Sequence, residues 1–338
     1  MTDFASIGRT GGMTGSLTGL SVPPGPRPRV GPTFPGWSAG RARLTLNQDK
    51  RRRFDSYPGS HLRRVPEPYP AGMVTARRAL VRRPSPRLAE GLLTHLERTP
   101  VDVGLAMAQW QGYVDALHAE GWETIEVPPA PDCPDAAFVE DTVVMYADLA
   151  VLARPGADER RPETAGTEEV LRDLGYRVRR IEEPGTLDGG DVLKHAVDGH
   201  GVVWVGLNGG PGGRTNAAGI AQLADHLTPL GARVETVPLS KALHLKSAVT
   251  ALPDGTVVGW DPVVDDPGVW PSYEAVPEEP GAHVVLLDGE TVLMSTAAPL
   301  TAASYEARGL RVVAVDISEF ERLEGCVTCL SVRLRHTP

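Results

Sequence analysis

The sequence predicts an α/β fold assembled from repeats, and three observations carry that prediction. First, four segments begin alike, each with a glycine and then a short alternating run: Gly121 before Trp-Glu-Thr-Ile-Glu-Val, Gly175 before Tyr-Arg-Val-Arg-Arg-Ile, Gly231 before Ala-Arg-Val-Glu-Thr-Val and Gly309 before Leu-Arg-Val-Val-Ala-Val. Second, each glycine follows a stretch of helical spacing, as a left-handed residue ending a helix should. Third, a loop with its own chemical signature follows each strand, and then a hairpin. A unit of roughly fifty residues that recurs four times points to a radial or stacked architecture. Equivalent loops then converge although they lie far apart in sequence.

The elements follow from local patterns. Residues 1–73 are rich in Gly, Pro, Ser and Arg, with the cluster Lys50-Arg51-Arg52-Arg53. They lack apolar periodicity, so they are expected to be a disordered extension, with Met73 as an alternative start. A first strand is expected over Ala79-Leu80-Val81-Arg82-Arg83-Pro84, opening a catalytic domain over residues 74–338. The clearest helix runs from Asp102 to about Glu120, with Val103, Met107, Trp110, Val114 and Leu117 on one stripe. Thr142 to Tyr146 and Leu330 to Leu334 read as strands, and Asp254-Gly255 and Asp288-Gly289 as hairpin turns. A fifth, degenerate unit is expected around Gly281 to Ser295.

Charge and cysteine content narrow the function classes. The chain carries −9 overall, and residues 1–73 carry +7, which leaves −16 on residues 74–338. An acidic body favours a cationic small molecule and disfavours nucleic acid. Three cysteines give no paired framework, which fits a reducing, cytoplasmic setting. No apolar run reaches the length of a membrane span, and no signal peptide is expected.

The loop signatures supply the chemistry. They are Phe138-Val139-Glu140-Asp141, Leu187-Asp188-Gly189-Gly190-Asp191, Leu243-His244-Leu245-Lys246-Ser247 and Cys326-Val327-Thr328-Cys329. The pair Cys326 and Cys329 is not expected to bind metal, because only Cys133 remains as a further thiol. It does not open a helix, as a redox pair normally would. Cys329, beside an apolar strand, is therefore the expected nucleophile, and His244 its partner. Their three-residue spacing would also allow Cys326 and Cys329 to form an inactivating disulfide. Asp188 is placed to orient the imidazole or hold a substrate, and Gly189 and Gly190 let backbone approach closely. Glu140 and Asp141, adjacent in an extended segment, should face opposite sides, so that one of them meets the ligand. Carboxylates match the forked donors of a guanidinium. Arg154 and Arg214 are candidates to clamp a carboxylate.

Together these segments, with Pro134-Asp135, Ala153-Arg154-Pro155-Gly156 and Arg214-Thr215-Asn216, resemble the dimethylarginine dimethylaminohydrolases of the guanidino-group-modifying (pentein) superfamily. The resemblance covers about residues 75–335. It implies a five-bladed α/β propeller of ββαβ repeats with the active site on its axis. It further implies Cys329 as nucleophile, His244 as general acid and base, and Asp188 as the third catalytic residue. Asp135, Glu140 and Asp141 match substrate contacts, and Arg154 and Arg214 match residues that hold the amino-acid end. Leu93 and the backbone of Leu323 match lid and α-amino contacts. A thiol at Cys326 departs from the family pattern. The implied reaction converts asymmetric dimethylarginine, or monomethylarginine, to citrulline with no metal or organic cofactor. Arginine deiminase is the neighbouring alternative, and a non-catalytic guanidino-ligand sensor the alternative of another class. The expected partner is a small methylated arginine rather than nucleic acid or membrane, with the oligomeric state unassigned and a homodimer as one option.

Overall fold

The repeats become five three-stranded sheets, each with the same pairing. The computed structural model describes residues 75–197, 200–208 and 213–336; the expectations for residues 1–73 lie outside them. In chain order the strands are β1 (Thr75–Val81), β2 (Glu123–Glu126), β3 (Val143–Tyr146), β4 (Leu149–Leu152), β5 (Arg177–Arg180), β6 (Val192–Val197), β7 (His200–Leu207) and β8 (Arg233–Pro238). They continue as β9 (Val249–Ala251), β10 (Val257–Gly259), β11 (Tyr273–Ala275), β12 (Val285–Leu286), β13 (Thr291–Ser295), β14 (Arg311–Val315) and β15 (Val332–His336). The sheets are β15-β1-β2, β3-β4-β5, β6-β7-β8, β9-β10-β11 and β12-β13-β14. In each, the middle strand pairs antiparallel with one neighbour and parallel with the other. This is the five-bladed α/β propeller of ββαβ units.

Burial separates the two edges of each blade. Strands β3 and β9 are buried along their whole length, whereas β2, β5, β8 and β14, the strands that follow the repeated glycines, are largely exposed. All four glycines are left-handed, with φ of 75° at Gly121, 87° at Gly175, 88° at Gly231 and 88° at Gly309. A side chain there would be strained, so glycine ends the helix and turns the chain into the outer strand.

Helices α1 (Val103–Ala119), α2 (Thr164–Asp173), α3 (Ala217–Leu227) and α4 (Pro299–Ala307) carry the parallel crossovers; α5 (Ser318–Glu321) is a short turn before the Cys329 segment. Asp102 caps α1, its side chain accepting from Leu105 N at 3.0 Å. Trp110, Val114 and Leu117 of the expected stripe are buried, along with Tyr113, against Ile317, Phe320, Val327 and Leu330. Each fully buried leucine in this face contributes roughly 2 kcal/mol. Tyr113 also donates to Val327 O at 3.0 Å and lies 2.7 Å from Ser331 Oγ, so α1 fixes the segment that carries Cys329.

The degenerate unit lies elsewhere than expected. Residues 281–295 hold β12 and β13, the hairpin of the regular blade whose outer strand follows Gly309. The blade without an α-helix is β9-β10-β11, where two 3₁₀ turns, Asp261–Val263 and Pro267–Val269, replace it. Pro262, Pro267 and Pro271 interrupt that crossover and remove the amide donors that a helix needs. Among the described residues, no helix is long and apolar enough to cross a membrane.

Candidate active site

The four loop signatures occupy one structural position. Val139–Thr142, Gly189–Asp191 and Leu245–Ser247 are 3₁₀ turns directly ahead of β3, β6 and β9, and the Cys326–Cys329 turn stands ahead of β15. Cys329 N donates to Cys326 O at 3.0 Å, and Glu140 N donates to Cys329 O at 3.1 Å, which ties two of these turns together. Close approach explains the paired glycines. A Cβ on Gly189 would stand 2.0 Å from Glu140 O, and one on Gly190 would stand 2.7 Å from His244 Nδ1.

The turns bring Asp141, His244 and Cys329 to one cavity, lined also by Leu92, Asp135, Phe138, Arg160, Arg214, Leu323 and Glu324. His244 is buried, with Nε2 3.1 Å from Asp188 Oδ2 and Nδ1 3.8 Å from Asp141 Oδ1. Asp188 is held in turn by Gly156 N, which donates to its Oδ1 at 3.0 Å. Asp141 accepts from Gly190 N at 2.8 Å and from Arg160 Nη1 at 2.6 Å. Behind them, Asp191 accepts from Leu245 N at 3.0 Å and from Thr215 Oγ1 at 2.6 Å, fixing the turn that carries His244.

These contacts set the protonation states. Burial opposes a charged His244, but Asp141, the Asp188 hydrogen bond and Asp191 outweigh it and raise the imidazolium to about 9. Burial would raise Asp141; His244 and Arg160 overcome it and bring the carboxyl down to about 2. The Cys329 thiol is held well above its ordinary range by the Cys326 contact, by burial and by the Asp141 and Glu140 carboxylates. The sulfurs of Cys326 and Cys329, both unpaired by any disulfide, lie 3.3 Å apart. At neutral pH the resting pocket therefore holds an imidazolium between two carboxylates.

Other sequence candidates separate into two groups. Asp135 is buried in the pocket wall and accepts from Leu92 N at 3.1 Å. Arg214 is buried, and its Nε and Nη1 find no hydrogen-bond partner among the described residues. Leu323 lines the cavity. Leu93 instead packs against the apolar core, while its neighbour Leu92 lines the cavity. Arg154 turns away, to Glu183 at 3.2 Å and Gly185 O at 3.2 Å. Glu140 faces the opposite side from Asp141: its Oε1 accepts from Lys246 at 2.7 Å and Arg333 at 2.8 Å.

Two groups were missed from sequence. Arg160 is a buried hub, donating to Asp141, to Glu163 at 2.9 Å and to Phe138 O at 3.3 Å. Nothing in Asp-Glu-Arg-Arg-Pro-Glu marks it apart from the more exposed Arg161. Glu324 is the other, at a left-handed φ of 60°. Its Oε1 accepts from Thr94 N at 2.9 Å, His95 N at 2.5 Å and Leu96 N at 2.7 Å, so it ties down the loop that covers the cavity. Asp141, Asp188 and His244 also bring one donor atom each within 4.8 Å of one another, a spacing that a cation would accept. All three donors already serve the hydrogen bonds above.

Comparison with known proteins places this arrangement. No family model matches the chain. The chain is 60% identical over 260 residues to the N(G),N(G)-dimethylarginine dimethylaminohydrolase of Streptomyces coelicolor, covering 77% of this chain and 98% of that one. It is 33% identical over 258 residues to the enzyme of the same name from Pseudomonas aeruginosa, covering 75% and 98%. Among solved structures, the Pseudomonas aeruginosa enzyme in its cysteine-to-serine form with citrulline aligns at a TM-score of 0.69 and 31% identity, covering 77% of this chain and 100% of that one. The product-bound N-terminal domain of a cyanobacterial arginine dihydrolase shares the fold, at a TM-score of 0.68 and 18% identity over 76% of this chain and 97% of that one. With nearly the whole length of both dimethylarginine relatives matched, and a thiol, an imidazole and carboxylates gathered where the repeats converge, the chain belongs to the dimethylarginine dimethylaminohydrolase family.

Proposed function

We propose that this chain hydrolyses N(G),N(G)-dimethylarginine, and the monomethyl compound, to citrulline and the corresponding amine through a covalent intermediate on Cys329. The observation that carries the reading is one cavity shared by Cys329, the Asp188-bonded His244, Asp141 and Arg214, whose Nε and Nη1 have no hydrogen-bond partner among the described residues. Such a pocket is charged at both ends for a substrate with a cationic guanidinium and a carboxylate.

Asp141 holds the guanidinium and orients its central carbon toward sulfur, while Asp188, behind His244, orients the imidazole. The incoming cation stabilises the Cys329 thiolate against the Cys326 contact, burial and the nearby carboxylates that hold it protonated, and the thiol proton leaves to solvent. The thiolate attacks the carbon, and a C–S bond forms. His244, already imidazolium, gives its proton to the methylated nitrogen as the C–N bond breaks and dimethylamine departs. Neutral His244 then takes a proton from water as its oxygen attacks the thiouronium carbon. Collapse of that adduct breaks the C–S bond and leaves citrulline. Arg214 and Asp135 hold the amino-acid end.

The cavity is about 20 Å³, the space of roughly one water molecule, so the loop around Leu92 must lift to admit substrate. Release of Glu324 from Thr94, His95 and Leu96 is the motion this requires. The test is citrulline formation from asymmetric dimethylarginine, monomethylarginine and arginine at equal concentration. Turnover of the methylated substrates is expected; preference for arginine would make the chain a deiminase, and turnover of none would overturn the hydrolase reading.

A further inference from the structure

Two cavities open among the described residues, and the segment from Asp135 to Asp141 sends side chains to both. Asp135, Phe138 and Asp141 line the thiol pocket, whereas Glu140 lines a larger cavity of about 360 Å³ together with Lys194, Lys246 and Arg333. The backbone accounts for this spacing of three. Phe138 N donates to Asp135 O at 2.9 Å, and Asp141 N donates to Phe138 O at 3.2 Å. Two such turns of about three residues each bring side chains at i, i+3 and i+6 onto one face. That face presents a carboxylate, a ring and a carboxylate in order, all buried. The ring is itself held: Phe320 meets it edge-on with centres 6.2 Å apart, and a Cβ on Gly325 would stand 2.4 Å from its Cε1.

Arg160 clamps this double turn from outside. Its Nη2 donates to Asp135 O at 3.4 Å and to Phe138 O at 3.3 Å, the two carbonyls at which the turns close. Its Nη1 donates to Asp141 Oδ2 at 2.6 Å, at the far end of the same segment. Glu163 holds the guanidinium from behind, accepting from Nε at 3.2 Å and from Nη2 at 2.9 Å. Arg82 donates in turn to Glu163 O at 2.8 Å and, at 3.5 Å, to Ala136 O within the first turn. Arg82, Arg160 and Glu163 are all buried, so water does not compete for these bonds.

We infer that Arg160 is a positioning residue that sets the chain length of the substrate. The inference rests on the hydrolase reading, in which Asp135 meets the amino-acid end and Asp141 the guanidinium. Between those ends the substrate is a run of three methylenes, and Phe138 stands between the two carboxylates to receive it. A flat guanidinium bonded to both turns and to the far carboxylate fixes the separation of Asp135 and Asp141. The pocket then matches three methylenes and mismatches two or four. Lysine at this position would keep a positive charge beside Asp141, but a single ammonium lacks the fork that spans the turns.

The test compares kcat/KM for N(G),N(G)-dimethylarginine with the values for its homologues one methylene shorter and one methylene longer. The parent should favour dimethylarginine by roughly tenfold or more over either, the scale on which one methylene is discriminated. Arg160→Lys should shrink that preference to about threefold or less, whatever its absolute rate. A common fall for all three compounds would show a merely structural role and overturn the inference, as would a parent indifferent to chain length. Should Arg160→Lys not fold, Glu163→Gln decides. Glu163 does not line the cavity, and loosening Arg160 from behind should narrow the preference in the same direction; an unchanged preference there would overturn the inference. Turnover of none of the compounds by the parent would instead remove the hydrolase reading, and the inference with it.

Discussion

The two cavities are built from the same turns yet are lined by different charged groups. One is small, and its carboxylates, Asp135, Asp141 and Glu324, stand beside Arg160, Arg214 and the His244 imidazolium; the other is large and holds Lys194, Lys246, Arg333 and Arg335 with Glu140. The difference comes from the turn, because the expected extended segment is a 3₁₀ turn, with about three residues per turn, whose neighbouring side chains point to different sides. Glu140 and Asp141 are neighbours in sequence, yet Asp141 goes to His244 and Arg160 while Glu140 goes to Lys246 and Arg333. A repeated backbone turn thus has two working faces, and a shift of one residue changes which chemistry a side chain joins.

Substitutions can break this division, and the largest effect should come from the thiol. Cys329→Ser should lower citrulline formation by at least about a thousandfold, with the fold retained by circular dichroism. Next is Asp141→Asn, which leaves Arg160 buried beside one fewer carboxylate. A loss of about 3 kcal/mol in denaturant unfolding is expected, together with a downward move of the alkaline limb of kcat as His244 loses a counter-charge. In the parent, kcat should fall as pH rises through about 9, because His244 must be protonated to release the amine. The same sign governs stability. An imidazolium raised above its unfolded value of about 6.5 contributes fully below that pH and loses its contribution through about 9. A pH–rate profile that bends near 6.5 instead would remove Asp141 and Asp188 from this role.

Arg214→Met should come third, raising KM roughly tenfold or more with kcat less affected, since it removes a contact to the bound end of the substrate. Glu140→Gln sharpens the contrast most directly. It should leave KM for dimethylarginine within about twofold, since its side chain goes to Lys246 and Arg333 and not to the thiol pocket. A large KM effect would return Glu140 to the substrate. The smallest expected change is in Cys326→Ala, within a few-fold of parent turnover. That variant should lose the part of peroxide inactivation that dithiothreitol reverses, which assays before and after each reagent would measure.

Much of the fold could be read from four glycines and the residues after them, because a left-handed helix end demands glycine and the following strand demands β-branched residues. The blade β9-β10-β11 escaped that reading since its crossover contains prolines in place of a helix and a glycine. Cys329, His244, Asp188 and Asp141 could be found because they recur at one position of the repeat. Orientation was harder. Leu92 and Leu93, or Arg160 and Arg161, differ only in which way the local backbone points them, and that depends on tertiary packing. Arg154 is a case of a motif residue whose side chain went to Glu183, a choice fixed by the loop at Gly185 rather than by its own neighbours.

Strand β15 pairs antiparallel with β1, so the first sheet joins the two ends of the described chain. Cys329 stands immediately before β15 and depends on that pairing for its place. During synthesis, the earlier blades can form while β1 still lacks its partner, and closing so long a loop is the entropically demanding step. The nucleophile is held in place only where the two ends of the described chain meet, so turnover also reports that this closure is made.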